Sequence, residues 1–136
     1  MREMQGAFTI GDLARRIGVN IETIRYYERV GLMPRPKRTS GGQRTYDESD
    51  LRTLAFIRKA RELDFQIEDT RALLACRGAD GACTDVKAIA QRQLERVRAE
   101  MRRAGEVERI LSNAVGHCSG GPASACPVLK VLEHAA

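Results

Sequence analysis

The chain has 136 residues, 43% hydrophobic and 30% charged, with six aromatics, no Trp, four Cys and a net charge of +5. That suffices for one modest domain and an accessory element, which argues against a large catalytic fold, and so few aromatics suit helices around a small core better than a sandwich or barrel. No stretch approaches the ~20 apolar residues of a bilayer span and the N-terminus lacks the apolar run of a signal peptide, so a cytoplasmic protein with no membrane partner is expected, its Cys free or bound to metal.

The positive charge is one-sided. Residues 1–46 hold nine Arg/Lys against four Asp/Glu, whereas residues 47–136 hold fourteen of each. From Arg29 to Tyr46 there are five basic residues and no acid, the electrostatic footprint of a polyanion-binding face. Within residues 8–33, FTIGDLARRIGVNIETIRYYERVGLM, apolar residues recur at Ile10, Leu13, Ala14 and Ile17, then at Ile21, Ile24 and Val30. This spacing predicts two short helices, the first closed by Gly18 and the second capped by Asn20, with Thr23, Arg25, Tyr26 and Arg29 on the polar side. Such a pair has helix-turn-helix spacing. Pro34 and Pro36 then forbid helix, and Ser40-Gly41-Gly42 supplies the tip of a short basic hairpin, a wing. Asp47 caps a helix through about Ala60, with Leu51, Leu54, Ala55 and Ile57 inward, and a shorter helix follows from about Ile67 to Ala75.

CRGADGAC, residues 76–83, reads as a hinge. Residues 84–115 contain no Pro and one Gly, so a single helix of ~48 Å is expected. Ala90, Leu94, Val97, Met101, Ala104, Leu111 and Val115 alternate by fours and threes, with Glu108 at the one interrupted position, which is a heptad-like seam. An apolar stripe on a helix this long has most simply the same helix of a second subunit as its cover, hence a homodimer. The helix also keeps Cys83 from reaching Cys118 or Cys126 in its own chain. If two helices pair antiparallel, Cys83 of one subunit meets Cys118 and Cys126 of the other, twice per dimer.

Taken together, the IRYYERVGL helix, the GGQRTY wing, FIRKARELDF and the order Cys, long helix, Cys, seven-residue loop, Cys-Pro closely resemble the MerR family of metal-responsive transcription regulators, over nearly the whole chain. The resemblance implies a mainly α fold: a winged helix-turn-helix DNA-binding domain (1–75), a hinge (76–83), a long antiparallel coiled-coil dimerisation helix (84–116), and a metal-binding loop with a C-terminal segment (117–136). It implies a dimer on a palindromic operator in double-stranded promoter DNA, acting on RNA polymerase already present by undertwisting the spacer rather than by recruitment. By position, Thr23, Arg25 and Tyr26 match recognition-helix residues, Arg44 and Tyr46 match wing residues that grip the DNA backbone, and Arg16 is a further DNA contact. Arg donates bidentately to guanine or phosphate, and Tyr hydroxyls donate to phosphate. Tyr27 is expected in the core. Asp64, where relatives commonly have Gly, and Thr70, which replaces a usual aliphatic, depart from the pattern away from these sites.

Three thiolates are soft ligands, suited to Hg(II), Cd(II), Pb(II) or Cu(I) rather than Mg(II) or Ca(II). In the family, monovalent sensors carry Ser where this chain has Cys83, and a third thiolate suits a divalent ion. The loop length in HCSGGPASACP resembles copper sensors instead. Hg(II) held by Cys83, Cys118 and Cys126 is the leading expectation, with Pb(II), Cd(II) and Zn(II) next and a Cu(I) sensor after them. His117 is a candidate fourth ligand for zinc, and Cys76 is a small apolar residue ending a helix or part of a four-thiolate structural zinc site. A disulfide-switched redox regulator using Cys118 and Cys126, and a purely architectural or repressing DNA-binding protein, remain open. An enzyme is not expected, since both His lie in the C-terminal tail and no phosphate-cradling Gly loop follows a strand.

Overall fold

The computed structural model describes residues 7–77 and 84–134. Its contacts divide the chain into two compact units, Met1–Ile89 and Ala90–Ala136.

The first unit is built from local signals that agree with one another. Helix α1 (Ile10–Ile17) starts at a capping box in which Thr9 accepts from the Asp12 amide and Asp12 accepts from the Thr9 amide. It stops where Gly18 turns left-handed at φ 85° and returns its amide to the Ala14 carbonyl. Helix α2 (Ile21–Arg29) begins three residues later, with the Asn20 side chain accepting from the Thr23 amide at 2.7 Å. Both caps fall where the sequence puts them. The short connection packs α2 against α1, and Arg58 from a later helix donates to the Ile17 carbonyl, satisfying an acceptor that α1 leaves open.

Past α2 the chain forms a two-residue antiparallel pair, β1 (Lys37–Arg38) with β2 (Arg44–Thr45), registered Lys37 to Thr45 and Arg38 to Arg44. The turn closes through Gly42, at φ 86°, whose amide bonds to the Thr39 carbonyl. The wing is anchored on its other side too. Phe8 and Tyr46 exchange both backbone hydrogen bonds, at 2.8 and 2.9 Å, so the segment before α1 extends the wing by one bridge.

Helix α3 (Glu48–Glu62) starts at Asp47, again with a capping box, and α4 (Ile67–Cys76) follows. Leu54 and Ile57 are fully buried and Leu51 half-buried, whereas Ala55 is exposed, contrary to the inward position expected for it. A residue adjacent to Leu54 points ~100° around the helix, away from the face that Leu51, Leu54 and Ile57 share. Asp64, between α3 and α4, sits at φ 64°. It is the non-glycine residue in the left-handed region among those described, a conformation Asp reaches because its short polar side chain can bond locally. Thr70 is fully buried, and its hydroxyl donates to the Gln66 carbonyl one turn back at 3.0 Å, so the polar replacement carries its own partner. The core of this unit gathers Phe8, Leu13, Ile24, Tyr27, Leu32, Met33, Tyr46, Leu54 and Ile57.

Helix α5 (Thr84–Gly116) runs 33 residues, which is about 50 Å, and carries into the second unit. Along it Leu94, Met101, Leu111 and Val115 are 41%, 68%, 45% and 64% exposed, so four seam positions are left largely open by the described residues of one chain. A 3₁₀ turn (Ala123–Ala125) and a short helix α6 (Pro127–Glu133) with Pro127 in its first turn complete the unit. Among the described residues no helix is long and apolar enough to cross a membrane.

Candidate nucleic-acid interface and thiol site

Five arginines line one groove between α2 and the wing: Arg25 and Arg29 from α2, Arg35 and Arg38 before and on β1, and Arg44 on β2. Convergence of this kind follows from the fold, because the Pro34/Pro36 segment brings the wing back beside the helix that precedes it. One acid lines the groove, Glu28, whose side chain is only 8% exposed. The Tyr46 hydroxyl donates to Glu28 Oε2 at 2.5 Å, and Arg44 Nε stands 3.5 Å from Glu28 Oε1. Burial, with the Glu28 bond second, pushes the Tyr46 hydroxyl well above the ordinary tyrosine range, so Tyr46 stays protonated.

The DNA-facing residues expected from sequence divide accordingly. Arg25 is exposed and paired with Glu22 at 2.8 Å, one helical turn away, a surface ion pair that a phosphate can displace. Tyr26 is exposed, with the Arg29 guanidinium 5.5 Å from its ring centroid. Thr23 is half-buried, and both its amide and its hydroxyl bond to the Asn20 side chain, so it shapes the start of α2. Arg16 stacks over the Phe8 ring at 4.5 Å, on the side of α1 next to the wing bridge. Tyr27 is buried in the core as expected. Tyr46 is the departure: it is 2% exposed, with its hydroxyl committed to Glu28 rather than free on the wing surface. Arg44, two residues earlier on β2, keeps part of its guanidinium open instead.

Glu28, Arg35 and Arg38 were not singled out by residue in the sequence. The signal available for the arginines was the acid-free basic run from Arg29 to Tyr46; Glu28 lies one residue outside it, and its partnership with Tyr46 spans 18 residues.

In the second unit Cys118 follows α5 and Cys126 caps α6. Both are free thiols, and the Cys118 side chain is near enough to influence Cys126. The backbone amides of Leu129 and Val128, at the start of α6, lower the Cys126 thiol below its ordinary value, and Cys118 adds to this. The loop between them therefore brings two soft donors near each other, with Cys126 shifted toward the thiolate form. His117 turns its ring back on α5, Nδ1 at 2.7 Å from the Asn113 carbonyl. Cys76 ends α4, half-buried and free. Cys83 lies outside the described residues, as does most of the expected hinge. Among the described residues no group of three His, Cys, Asp or Glu could hold a metal. The Cys118/Cys126 pair fits a thiophilic cation as part of a larger donor set.

The profile of the MerR HTH family regulatory proteins matches residues 8–76, and that of the MerR DNA-binding segment matches residues 51–114. Heavy metal-dependent transcription regulator 2 of Rhizobium meliloti (strain 1021) is 36% identical over 126 residues, covering 92% of this chain and 86% of that protein. Among solved structures, the transcription regulator PbrR691 from Ralstonia metallidurans CH34 in complex with lead(II) superposes with a TM-score of 0.78 at 32% identity, over 92% of this chain and 98% of that one. The dual function transcriptional regulator MerR from Bacillus megaterium MB1 in complex with mercury(II) superposes with a TM-score of 0.63 at 31% identity, over 93% and 100% of the two chains. Two helices at helix-turn-helix spacing, a basic wing, a long helix and a thiol loop, together with these matches, make the conclusion direct: the chain belongs to the MerR family and is a metal-responsive, DNA-binding transcription regulator, not an enzyme.

Proposed function

We propose that two copies of this chain bind an inverted repeat within a promoter and switch on metal-resistance genes when Hg(II), or a similar thiophilic divalent ion, is held by Cys83 of one subunit with Cys118 and Cys126 of the other. The observation that carries this reading is the thiol pair that follows α5, where Cys118 lies near Cys126 and the α6 amides favour the Cys126 thiolate. Exposure of Leu94, Met101, Leu111 and Val115 along about 32 Å of α5 supports a second α5 as the cover. In an antiparallel pair the helix length that separates Cys83 from Cys118 within a chain brings them together between chains.

Cys83, Cys118 and Cys126 would hold the ion, which would supply strong bonding to soft sulfur donors. The chain's own residues do the rest. The five-arginine groove grips phosphates on each half-site, and α2 lies in the major groove with Arg25 and Tyr26 outward. A change in the angle between the two DNA-binding units would then alter spacer twist, and RNA polymerase already at the promoter would respond to the DNA's shape. Mercury(II) and lead(II) are the ions in the two similar solved structures, and soft thiolate donors suit either ion.

Run-off transcription from the promoter nearest the gene, with reduced protein and a panel of Hg(II), Pb(II), Cd(II), Zn(II) and Cu(I), tests the reading. Activation by a divalent soft ion at the lowest dose, lost in Cys83→Ser while operator binding persists, is expected. Activation by Cu(I) alone, or an unchanged Hg(II) response in Cys83→Ser, would sink the three-thiolate site.

A further inference from the structure

A carboxylate in a groove built to hold phosphate is an electrostatic anomaly. Glu28 lines the same surface as Arg25, Arg29, Arg35, Arg38 and Arg44, and by charge alone it weakens that surface for a polyanion. Yet it is not a loose surface charge. One oxygen accepts from the buried Tyr46 hydroxyl at 2.5 Å, which fixes the carboxylate plane against the end of the wing. The other faces Arg44 Nε at 3.5 Å, within ion-pair range but longer than a hydrogen bond, and that Nε is sealed from solvent with no hydrogen-bond partner. Arg44 as a whole keeps 32% of its side chain exposed and lines the groove. One edge of its guanidinium is thus turned inward to an acid and the rest remains available. A guanidinium has a planar fork of donors, so fixing the Nε edge fixes where the two terminal nitrogens point.

We propose that Glu28 is a positioning residue for DNA binding: its buried carboxylate, itself held by Tyr46, orients Arg44 so that the terminal nitrogens of the guanidinium meet a backbone phosphate. The contact couples α2 to the wing, so recognition helix and backbone grip arrive in one register. This inference rests on the DNA-binding role of the groove and names a residue that itself touches no DNA.

The two views of Glu28 predict opposite signs, which makes the experiment decisive. Operator affinity of the full-length protein is measured by fluorescence anisotropy, on a duplex carrying the promoter's inverted repeat, from about 50 to 200 mM salt. Glu28→Gln keeps an acceptor for Tyr46 and removes a negative charge. Simple electrostatics predicts tighter binding. Positioning predicts a Kd about tenfold higher, with a log Kd against log salt slope shallower by about 0.9 per subunit, the loss of one phosphate contact. In the background of Arg44→Ala, Glu28→Gln should cost nothing more, because its effect passes through Arg44. Arg44→Lys, which keeps the charge but has no second edge for Glu28 to hold, should reproduce the loss and decides the matter if Glu28→Gln does not fold by circular dichroism. Equal or tighter binding by Glu28→Gln, additive losses in the double variant, or wild-type affinity in Arg44→Lys would each overturn the inference. Wild-type protein that fails to bind the duplex would overturn the groove's DNA role itself, a distinct outcome.

Discussion

Tyr46→Phe offers a direct measure of how much the wing depends on one hydroxyl. The ring stays, so the packing against Phe8 and the rest of the core is nearly unchanged and no large cavity opens. What disappears is one donor to Glu28, a carboxylate with an 8% exposed side chain, from a bond of 2.5 Å. Loss of a hydrogen bond to a charged, buried acceptor costs about 1.5–3 kcal/mol, since water cannot replace the donor without opening the wing. At a urea dependence of about 2 kcal/mol per molar, a loss of ~2 kcal/mol lowers the unfolding midpoint of the DNA-binding unit by about 1 M. The pH dependence gives a second handle. The Tyr46 ionisation is raised from its ordinary value of 10.0 by burial first and by Glu28 second. The unfolded chain therefore releases this proton earlier than the folded one. Stability from Tyr46 is fully present below pH 10 and declines as pH rises above it. Phe has no proton to release, so the gap between wild type and variant should narrow as pH climbs from neutral to about 11. Urea denaturation followed by circular dichroism at each pH checks both points. An unchanged midpoint at neutral pH, or a gap constant with pH, would refute the assignment of a structural, protonated hydroxyl bonded to Glu28.

Two further outcomes follow from the second unit. Iodoacetamide at neutral pH should label Cys126 faster than Cys118, because the α6 amides favour its thiolate; peptide mass mapping over time checks the order. Preincubation with one Hg(II) per site should protect Cys83, Cys118 and Cys126 and leave Cys76 reactive, whereas protection of Cys76 as well would point to a four-thiolate site. Met101→Glu puts a charge at a seam position that is 68% exposed in a single chain. In a coiled-coil dimer this residue sits near its copy's seam, so sedimentation should show a shift toward monomer and a tenfold or greater loss of association; a monomer-neutral result at the wild-type dimer level would argue that α5 buries another face.

Helix boundaries were legible because each rests on side chains a few residues apart. Asn20 and Asp47 cap helices through bonds to residues three positions on, and Gly18 ends α1 by its own conformational freedom. The Gly-rich tip between Thr39 and Gln43 likewise closes the wing by local bonding. Asp64 in the left-handed region was foreseeable because relatives commonly have Gly at that position. Cys118 and Cys126 could be paired on paper since the loop between them is short. α6 was not expected, as a seven-residue helix started by Pro127 gives too brief a period to register against its neighbours.

Chain order, charge distribution, helix caps and the thiol spacing were thus set by the sequence itself, because each depends on groups within a turn or two of one another. Tertiary packing alone decided that Tyr46 faces inward, that Ala55 does not, and that Glu28 lies among five arginines from three different segments. Those facts turn on which surface a side chain meets after α2 and the wing have folded back together. A hydroxyl and a carboxylate 18 residues apart have no preference for each other until a shared core brings them to 2.5 Å.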